Sequence, residues 1–462
     1  MRGVLSFLQL LTLVRLVRLA WPVVLSRLGI MVMGLTDAIV VGQVSATELS
    51  YHSLGWAPTS VLLTTAVGLL MGTQVVTAQH IGEGRADQVG GVLRRGLIYS
   101  LWIGGIGTTF LMLAVPPLLA LSVVPELLPG SVAAMKVFAL SIPFYMVSVA
   151  CSLFMEGLGR PKPAMWIMWI ANAINLGLNL WFVPGGPEWI PDGAVGAGGA
   201  TFGARLFLML AMVGYILSLP EVKSWGLFSP PRDTPADAIR QRRIGYGSGS
   251  SYFVEISAFA AMTLLSGAMG TAAVASWTIV LNVSAIIFMV PLGLSAATSV
   301  LVGRAYGARS GPSVYRTGIM AFALALLIGV VVTVVIGFAH TPVVMAYTRD
   351  PAVVAMAGGA LFLACLFFIT DGLQVVAAQA LRARGDVLWP TLMHILSYAV
   401  VMIPLAWWLG LHLKFGVDGI VWATIIASAL SASLLVARFL RLGRTLPNGV
   451  IALKTVGTKK GG

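Results

Sequence analysis

Two carboxylates, Glu255 and Asp371, interrupt long apolar runs of this chain. A charge held at mid-bilayer costs about 2.5–3.5 kcal/mol on insertion scales, so such residues by default mark an ion or substrate pathway. A pair of acids in apolar surroundings can hold a proton, a metal cation or a cationic group. A second polar set consists of Asp37 with Asn172, Asn175 and Asn179. Asn175 and Asn179 are four residues apart and share a helix face. Arg27 and Arg205 place two positive charges inside apolar stretches. Structural readings compete at each position. The asparagines serve equally well as hydrogen-bonding glue between helices, Asp37 as an interfacial cap, and the two arginines as partners of a carboxylate or of carbonyls. Glu156, beside Arg160 and Lys162, reads as an edge ion pair. For Glu255 and Asp371 the structural reading is weaker, because neither has a basic residue close by on its own helix.

Other chemistry finds little support. The five histidines (His52, His80, His340, His394, His412) do not cluster along the chain. His394 alone sits on an apolar span and could relay a proton, although ordinary packing is the simpler reading. Cys151 and Cys365 both lie in apolar stretches and read as small buried residues. We find no zincin, P-loop or serine-nucleophile pattern, so neither an enzyme nor a cofactor is expected. The glycine-rich stretch 193–203 fits close helix packing.

The elements that hold these residues follow from composition. The chain has 462 residues, 58% hydrophobic and 10% charged, whereas soluble domains carry about 25% charged residues. This is the composition of an all-α polytopic membrane protein. We expect twelve transmembrane helices at about 13–40, 52–80, 93–119, 132–158, 163–184, 193–219, 246–270, 276–304, 316–340, 352–381, 389–411 and 416–440, each long enough to cross a bilayer. The first, with Arg15 and Arg18 ahead of its long apolar run, is too long for a signal peptide and reads as a retained helix. Of the 29 lysines and arginines, 24 fall on one side of this scheme and three on the other. By the positive-inside rule both termini are expected in the cytoplasm. The net charge of +13 is then a topology signal facing anionic lipid, and nucleic acid is not an expected partner.

A polar segment, 220–245, divides the chain into an N-lobe (1–219, helices 1–6) and a C-lobe (246–442, helices 7–12), with a cytoplasmic tail at 443–462. The halves repeat one another. Gly68, Thr73, Val75 and Gly82 match Gly293, Thr298, Val300 and Gly307, while Gly193, Gly196, Ala200 and Thr201 match Gly416, Gly419, Ala423 and Thr424. With six spans per half the repeat is parallel, and a central cleft between pseudo-symmetric six-helix lobes is expected to hold the transport path. Depth can be counted at 1.5 Å per residue. Glu255 lies about 18 Å beyond Arg243, and Asp371 about 16 Å from Arg382 on a helix running the other way. Both fall near mid-bilayer. Asp37 lies about 33 Å along the first helix from Arg15, toward the opposite rim.

These residues bring out a family resemblance. Asp37-Ala-Ile-Val-Val-Gly42, Glu255-Ile-Ser-Ala-Phe259, Pro291-Leu-Gly-Leu-Ser-Ala-Ala297 with Val302-Gly303, and Asp371-Gly-Leu-Gln-Val375 leading to Ala380-Leu-Arg-Ala-Arg-Gly385-Asp386 stand in this order. The chain resembles the multidrug and toxic compound extrusion (MATE) transporters, in their NorM-type branch. The resemblance implies an antiporter that exports organic, often cationic compounds by alternating access, coupled to H⁺ or Na⁺. It puts the cation-coupling site on Glu255 and Asp371, which would also be the metal ligands for Na⁺. A polar N-lobe site for substrate or protons then falls on Asp37, Asn175 and Asn179, with Asn172 on the same helix. Members can have a tyrosine one turn before the span-ten aspartate; here it is Phe367, which tilts the expectation from Na⁺ toward H⁺. Arg27 and Arg205 as cavity charges would instead favour a flippase for a lipid-linked oligosaccharide, or an exporter of an anionic or amphoteric metabolite. The expected partners are a small organic substrate and membrane lipid. The expected setting is the bacterial inner membrane, and the expected assembly a monomer.

Overall fold

A computed structural model describes residues 2–186, 192–228 and 234–445, and they form helices and connections without a strand. The helices are α1 (Arg2–Val44), α2 (Ala46–Gly82), α3 (Val89–Leu113), α4 (Val115–Ser122), α5 (Leu128–Leu140), α6 (Ile142–Gly157), α7 (Lys162–Phe182) and α8 (Gly193–Ser218) in the first half. The second half holds α9 (Pro235–Gly267), α10 (Thr271–Gly307), α11 (Gly311–Met345), α12 (Pro351–Ala383), α13 (Leu388–His412) and α14 (Gly416–Leu442). Among the described residues nine helices are long and apolar enough to cross a membrane, and a tenth forms if α5 and α6 are one span bent by 41°. Two more helices, α7 and α9, complete the twelve units. Three asparagines in α7, and Arg240, Arg242 and Arg243 at the start of α9, lower their apolarity.

Several expected boundaries change. The first helix begins at Arg2, well before residue 13. The fourth expected span, 132–158, is broken at Ser141, because Pro143 cannot continue a helix from the preceding residues but starts one readily. Pro116 and Pro117 likewise open α4, so the end of the third expected span, 93–119, is a separate short helix. The segment read as a linker up to residue 245 is helical from Pro235. Thr234 donates from both its N–H and its hydroxyl to the Asp237 carboxylate, at 3.1 and 3.0 Å. With Pro235 at the first position this is a helix start. Residues 229–233, with Pro230, Pro231 and Arg232, and the tail from 446, with Lys454, Lys459 and Lys460, lie outside the described residues.

Each half has its own apolar core. Met33, Leu63, Leu111, Met146 and Leu153 pack in the first half, and Met262, Trp277, Leu361, Phe368 and Tyr398 in the second. A third core is shared, with Leu16, Val75 and Val76 packed against Ile244, Leu294, Val302 and Val376. The shared contact is made by backbones as much as by side chains. A Cβ added to Gly72 of α2 would sit 2.0 Å from the Gln241 carbonyl oxygen of α9, and one on Gly245 of α9 would sit 2.2 Å from that of Leu69. Of the repeated glycines, the set Gly68, Gly82, Gly293 and Gly307 lies on this seam. Gly68 backs onto Gly249 and Gly82 onto Arg304, while Gly293 backs onto Val24 and Gly307 onto Gln79.

Polar bonds lock the same seam where the helices run into the basic loops. The Asp237 carboxylate accepts from Arg85 at 2.8 Å and Arg240 at 3.0 Å. Arg240 also donates to Glu83 at 3.0 Å, and Arg85 to Glu83 at 2.8 Å. The Gln79 amide donates to the carbonyl of Ala383 at 2.9 Å. Burial alone would raise the Asp237 carboxyl, but the Arg85 hydrogen bond, nearby His80 and the Thr234 N–H hold it down to about 2. The halves therefore close upon each other on the side of the basic loops.

Candidate functional site

Each half holds a polar cluster built around one or two carboxylates in its membrane-spanning part. In the second half Glu255 comes from α9 and Asp371 from α12. One residue joins them: the Gln374 amide nitrogen is 3.2 Å from Asp371 Oδ1 and 3.5 Å from Glu255 Oε1. The helix spacing explains this, because Gln374 lies three residues after Asp371 and shares its face. Asp371 is buried at 5% exposure, whereas Glu255 is half-buried and is the more accessible member of the pair. Thus the two acids found by depth counting are brought to one site. Phe367 is buried beside them, edge-on to Phe259 at 6.2 Å between ring centres.

Toward the basic side the second-half cluster continues as a line of buried polar groups. Gln379 donates to the Tyr252 hydroxyl at 3.4 Å. Arg382 donates to the Ser251 hydroxyl at 2.7 Å. The sequence reading placed Arg382 in a loop, but its side chain is 1% exposed. α12 runs on to Ala383, which carries this arginine into the protein instead of into water. His394, read as ordinary packing, is buried with both ring nitrogens lacking a hydrogen-bond partner among the described residues.

In the first half Asp37 is the centre. Its Oδ1 accepts from Asn175 at 3.0 Å and from Asn179 at 2.7 Å, and its Oδ2 from the Thr201 hydroxyl. The carboxylate is 3% exposed. It is therefore a buried junction of α1, α7 and α8, and the capping alternative is ruled out by its place inside α1. Asn172 stands apart. Its amide donates to its own helix at Met168 and lies close to Gly29 of α1.

The two arginines have partners within the protein, as the pairing alternative expects. Arg27 is paired with Glu156 at 3.3 Å, and the other Glu156 oxygen accepts from Gln74 at 2.6 Å. The expected Glu156 pairing with Arg160 or Lys162 is not made; Arg160 bonds Glu221 at 2.9 Å. α6 turns Glu156 inward to 3% exposure, away from Arg160 and Lys162 and onto Arg27 and Gln74. Arg205 donates to the Ser141 hydroxyl at 2.7 Å, and its guanidinium lies over Tyr145 at 4.7 Å and Trp56 at 5.5 Å. The Ser141 hydroxyl, at the α5–α6 break, donates to the Phe138 carbonyl at 2.6 Å and accepts from Arg205.

Sequence reading missed Gln374 and Thr201 as site residues. Gln374 could have been found from its spacing to Asp371, and Thr201 from its repeat partner Thr424. Among the described residues no three His, Cys, Asp or Glu side chains converge as a metal group would require.

Comparison with known proteins adds a lineage. The MatE family model matches residues 22–181 and again 248–408. A probable multidrug resistance protein NorM of Caulobacter vibrioides is 52% identical over 92% of this chain and 91% of its own length. The multidrug resistance protein NorM of Vibrio cholerae is 30% identical over 86% of this chain and 87% of its own. Among solved structures, the eukaryotic MATE transporter AtDTX14 superposes with a TM-score of 0.84 at 16% identity, covering 94% of this chain and 99% of that one. An outward-facing multidrug resistance MATE transporter gives 0.84 at 19% identity, covering 94% and 97%.

Proposed function

The chain belongs to the MatE family, and from that premise we propose that it exports small organic, often cationic molecules in exchange for a cation by alternating access. The observation that carries the proposal is the Glu255–Gln374–Asp371 cluster, two carboxylates sharing one amide within the membrane-spanning part of the second half. Burial disfavours a charged carboxylate, and a second carboxylate nearby disfavours it further. Such a pair takes up one positive charge readily, as H⁺ or Na⁺. The donor set favours H⁺. Two carboxylates and one amide, with Phe367 apolar beside them, give a hard cation few oxygens.

The first-half cluster serves in this reading as the polar substrate or proton site. Asp37 would bind a cationic group by exchanging its amide and hydroxyl partners for it. The exchange is coupled if ion and substrate favour different facing states or compete within one, since a ligand moves a conformational equilibrium only through differential affinity. One charge crossing 100 mV supplies about 2.3 kcal/mol. Export of a monovalent cation against one proton moves no net charge, so a pH gradient alone would drive it.

The rocking seam would be the glycine contact of α2 with α9 and of α1 with α10. We place the protein in the cell's inner membrane as a monomer with the basic side, and both termini, in the cytoplasm. No cofactor and no enzymatic step is invoked. The competing reading, a flippase or an anion exporter, needs Arg27 and Arg205 free in the cleft; the first is held by Glu156 and the second by Ser141 and two aromatic rings.

The test is gradient-driven uptake of ethidium into sealed proteoliposomes. Glu255→Gln and Asp371→Asn are expected to lose accumulation while keeping the fold. If both still concentrate the dye when an H⁺ or Na⁺ gradient is imposed, the coupling assignment fails.

A further inference from the structure

The second-half cluster contains a polar group that the exchange reading does not use. Tyr398 is fully buried and its hydroxyl has no hydrogen-bond partner among the described residues. A buried hydroxyl left unpaired is costly, and native interiors rarely keep one without a reason. Tyr398 lies within electrostatic range of both Glu255 and Asp371. Its ring is held by Phe259 at 6.3 Å and by His394, edge-on, at 5.7 Å. Its backbone is unusual as well: Tyr398 sits in the first of two π-helical stretches of α13, Ile395–Met402 and Trp408–His412. Such wide turns are rare and concentrate at functional sites. They loosen the local helix ladder and let a side chain change its angle at small cost.

The charged groups facing Tyr398 are a consistent set: α9 contributes Glu255, with Tyr252 one turn away, and α12 contributes Asp371, while Arg382 of α12 acts on His394 and bonds Ser251. His394 stands one turn before it on its own helix, and α14 adds apolar side chains of the same core, among them Ile420 and Val421. The carboxylates are the acceptors in this set that an O–H donor would seek. When a proton occupies the pair, one carboxyl supplies its own donor. When the pair is empty, the charge needs another.

We propose that Tyr398 is a third member of the ion site, its hydroxyl donating a hydrogen bond to the Glu255–Asp371 pair in the state where the pair carries its charge. The proposal rests on the assignment of that pair as the coupling site. It gives Tyr398 a definite role in the cycle, which is to hold the empty, ionised site together between release of one cation and capture of the next.

The experiment is ethidium transport by proteoliposomes over a series of pH values at a constant pH difference, for the parent, Tyr398→Phe and Glu255→Gln. Phenylalanine keeps the ring and removes only the hydroxyl. Loss of a donor to a charged acceptor should move the pH of half-maximal transport upward by about one pH unit or more. A purely structural role would change the amount of folded protein and leave that midpoint in place. If Glu255→Gln abolishes gradient-driven transport and Tyr398→Phe has the parent's midpoint within a few tenths of a unit, the role of Tyr398 is refuted alone. If Glu255→Gln keeps driven transport, the site assignment falls and the role of Tyr398 with it.

Discussion

The seam between the halves makes a sharp prediction at Gly245. A methyl group there would lie 2.2 Å from the Leu69 carbonyl oxygen and 3.1 Å from its carbon. Neither neighbour is a side chain that can swing aside, so α2 and α9 must separate locally by roughly an ångström. Overpacking of this kind costs about 1–3 kcal/mol, and the cost falls only on the state in which this seam is shut. It should raise the ratio of seam-open to seam-shut molecules by about 5–150-fold. A cysteine at Thr73, a position 1% exposed and hydrogen-bonded to Gln241 across the seam, reports the open population through its rate of maleimide labelling. The background would carry serine at Cys151 and Cys365, both buried. Gly245→Ala should accelerate labelling of Thr73→Cys by at least several-fold. Gly105→Ala on α3, where an added Cβ meets nothing within 4 Å, should leave it unchanged. Equal labelling of Gly245→Ala and parent, both folded, would refute the view that this contact opens during function.

Three further outcomes follow from charge placement. Removing the Glu156 charge with Glu156→Gln should lower stability by about 1–3 kcal/mol, because Arg27 is then a half-buried charge without its counter-ion; the double change Arg27→Met with Glu156→Leu should recover much of the loss in a detergent melting curve, and no recovery would deny the pairing its role. Asp237, held at about 2 by Arg85, His80 and Thr234, contributes about 1 kcal/mol after solvent screening, fully present above the unfolded value near 4 and lost as pH falls through about 2. Asp237→Asn should lower the melting temperature at pH 7 yet flatten its decline between pH 4 and 2, and an unchanged acid profile would count against this. Asp37→Asn keeps the size of the side chain and removes the charge that Asn175, Asn179 and Thr201 surround; dye transport should fall by tenfold or more, and parent-like transport would make the cluster structural.

How far the sequence reaches depends on the kind of signal each residue sends. Isolated acids in apolar runs are conspicuous, and helix rise turns their positions into depths, so the meeting of Glu255 and Asp371 could be anticipated. The repeated glycines were legible as a pattern, although only the packing shows that Gly68, Gly82, Gly293 and Gly307 line one seam. What a pattern cannot give is which face of a helix a long side chain takes. Glu156 lies beside Arg160 and Lys162 in sequence, yet the inward turn of α6 gives it to Arg27 and Gln74. Arg382 looked like a loop residue because arginine at a span edge usually is one. The start of α9 was hidden by its own signal: Pro235 was read as linker composition, while the Thr234–Asp237 pair marks the first turn of a helix.

One contact reaches from the beginning of the fold to the far end of its first half. Glu48, in the first turn of α2, accepts the backbone N–H of Ala194 at 2.7 Å, 146 residues later. Gly193 makes room for it with a left-handed backbone and no side chain, since a Cβ there would meet Glu48 Oε2 at 2.1 Å. A carboxylate at a helix N-terminus complements the helix dipole, so this contact stabilises α8 from outside. It also has a consequence for biogenesis. During synthesis Glu48 must wait, solvated at the membrane surface, until α8 has been made and inserted. The first half can close as a unit only then, and a nascent chain released after α7 would carry an acceptor whose donor had not yet been translated.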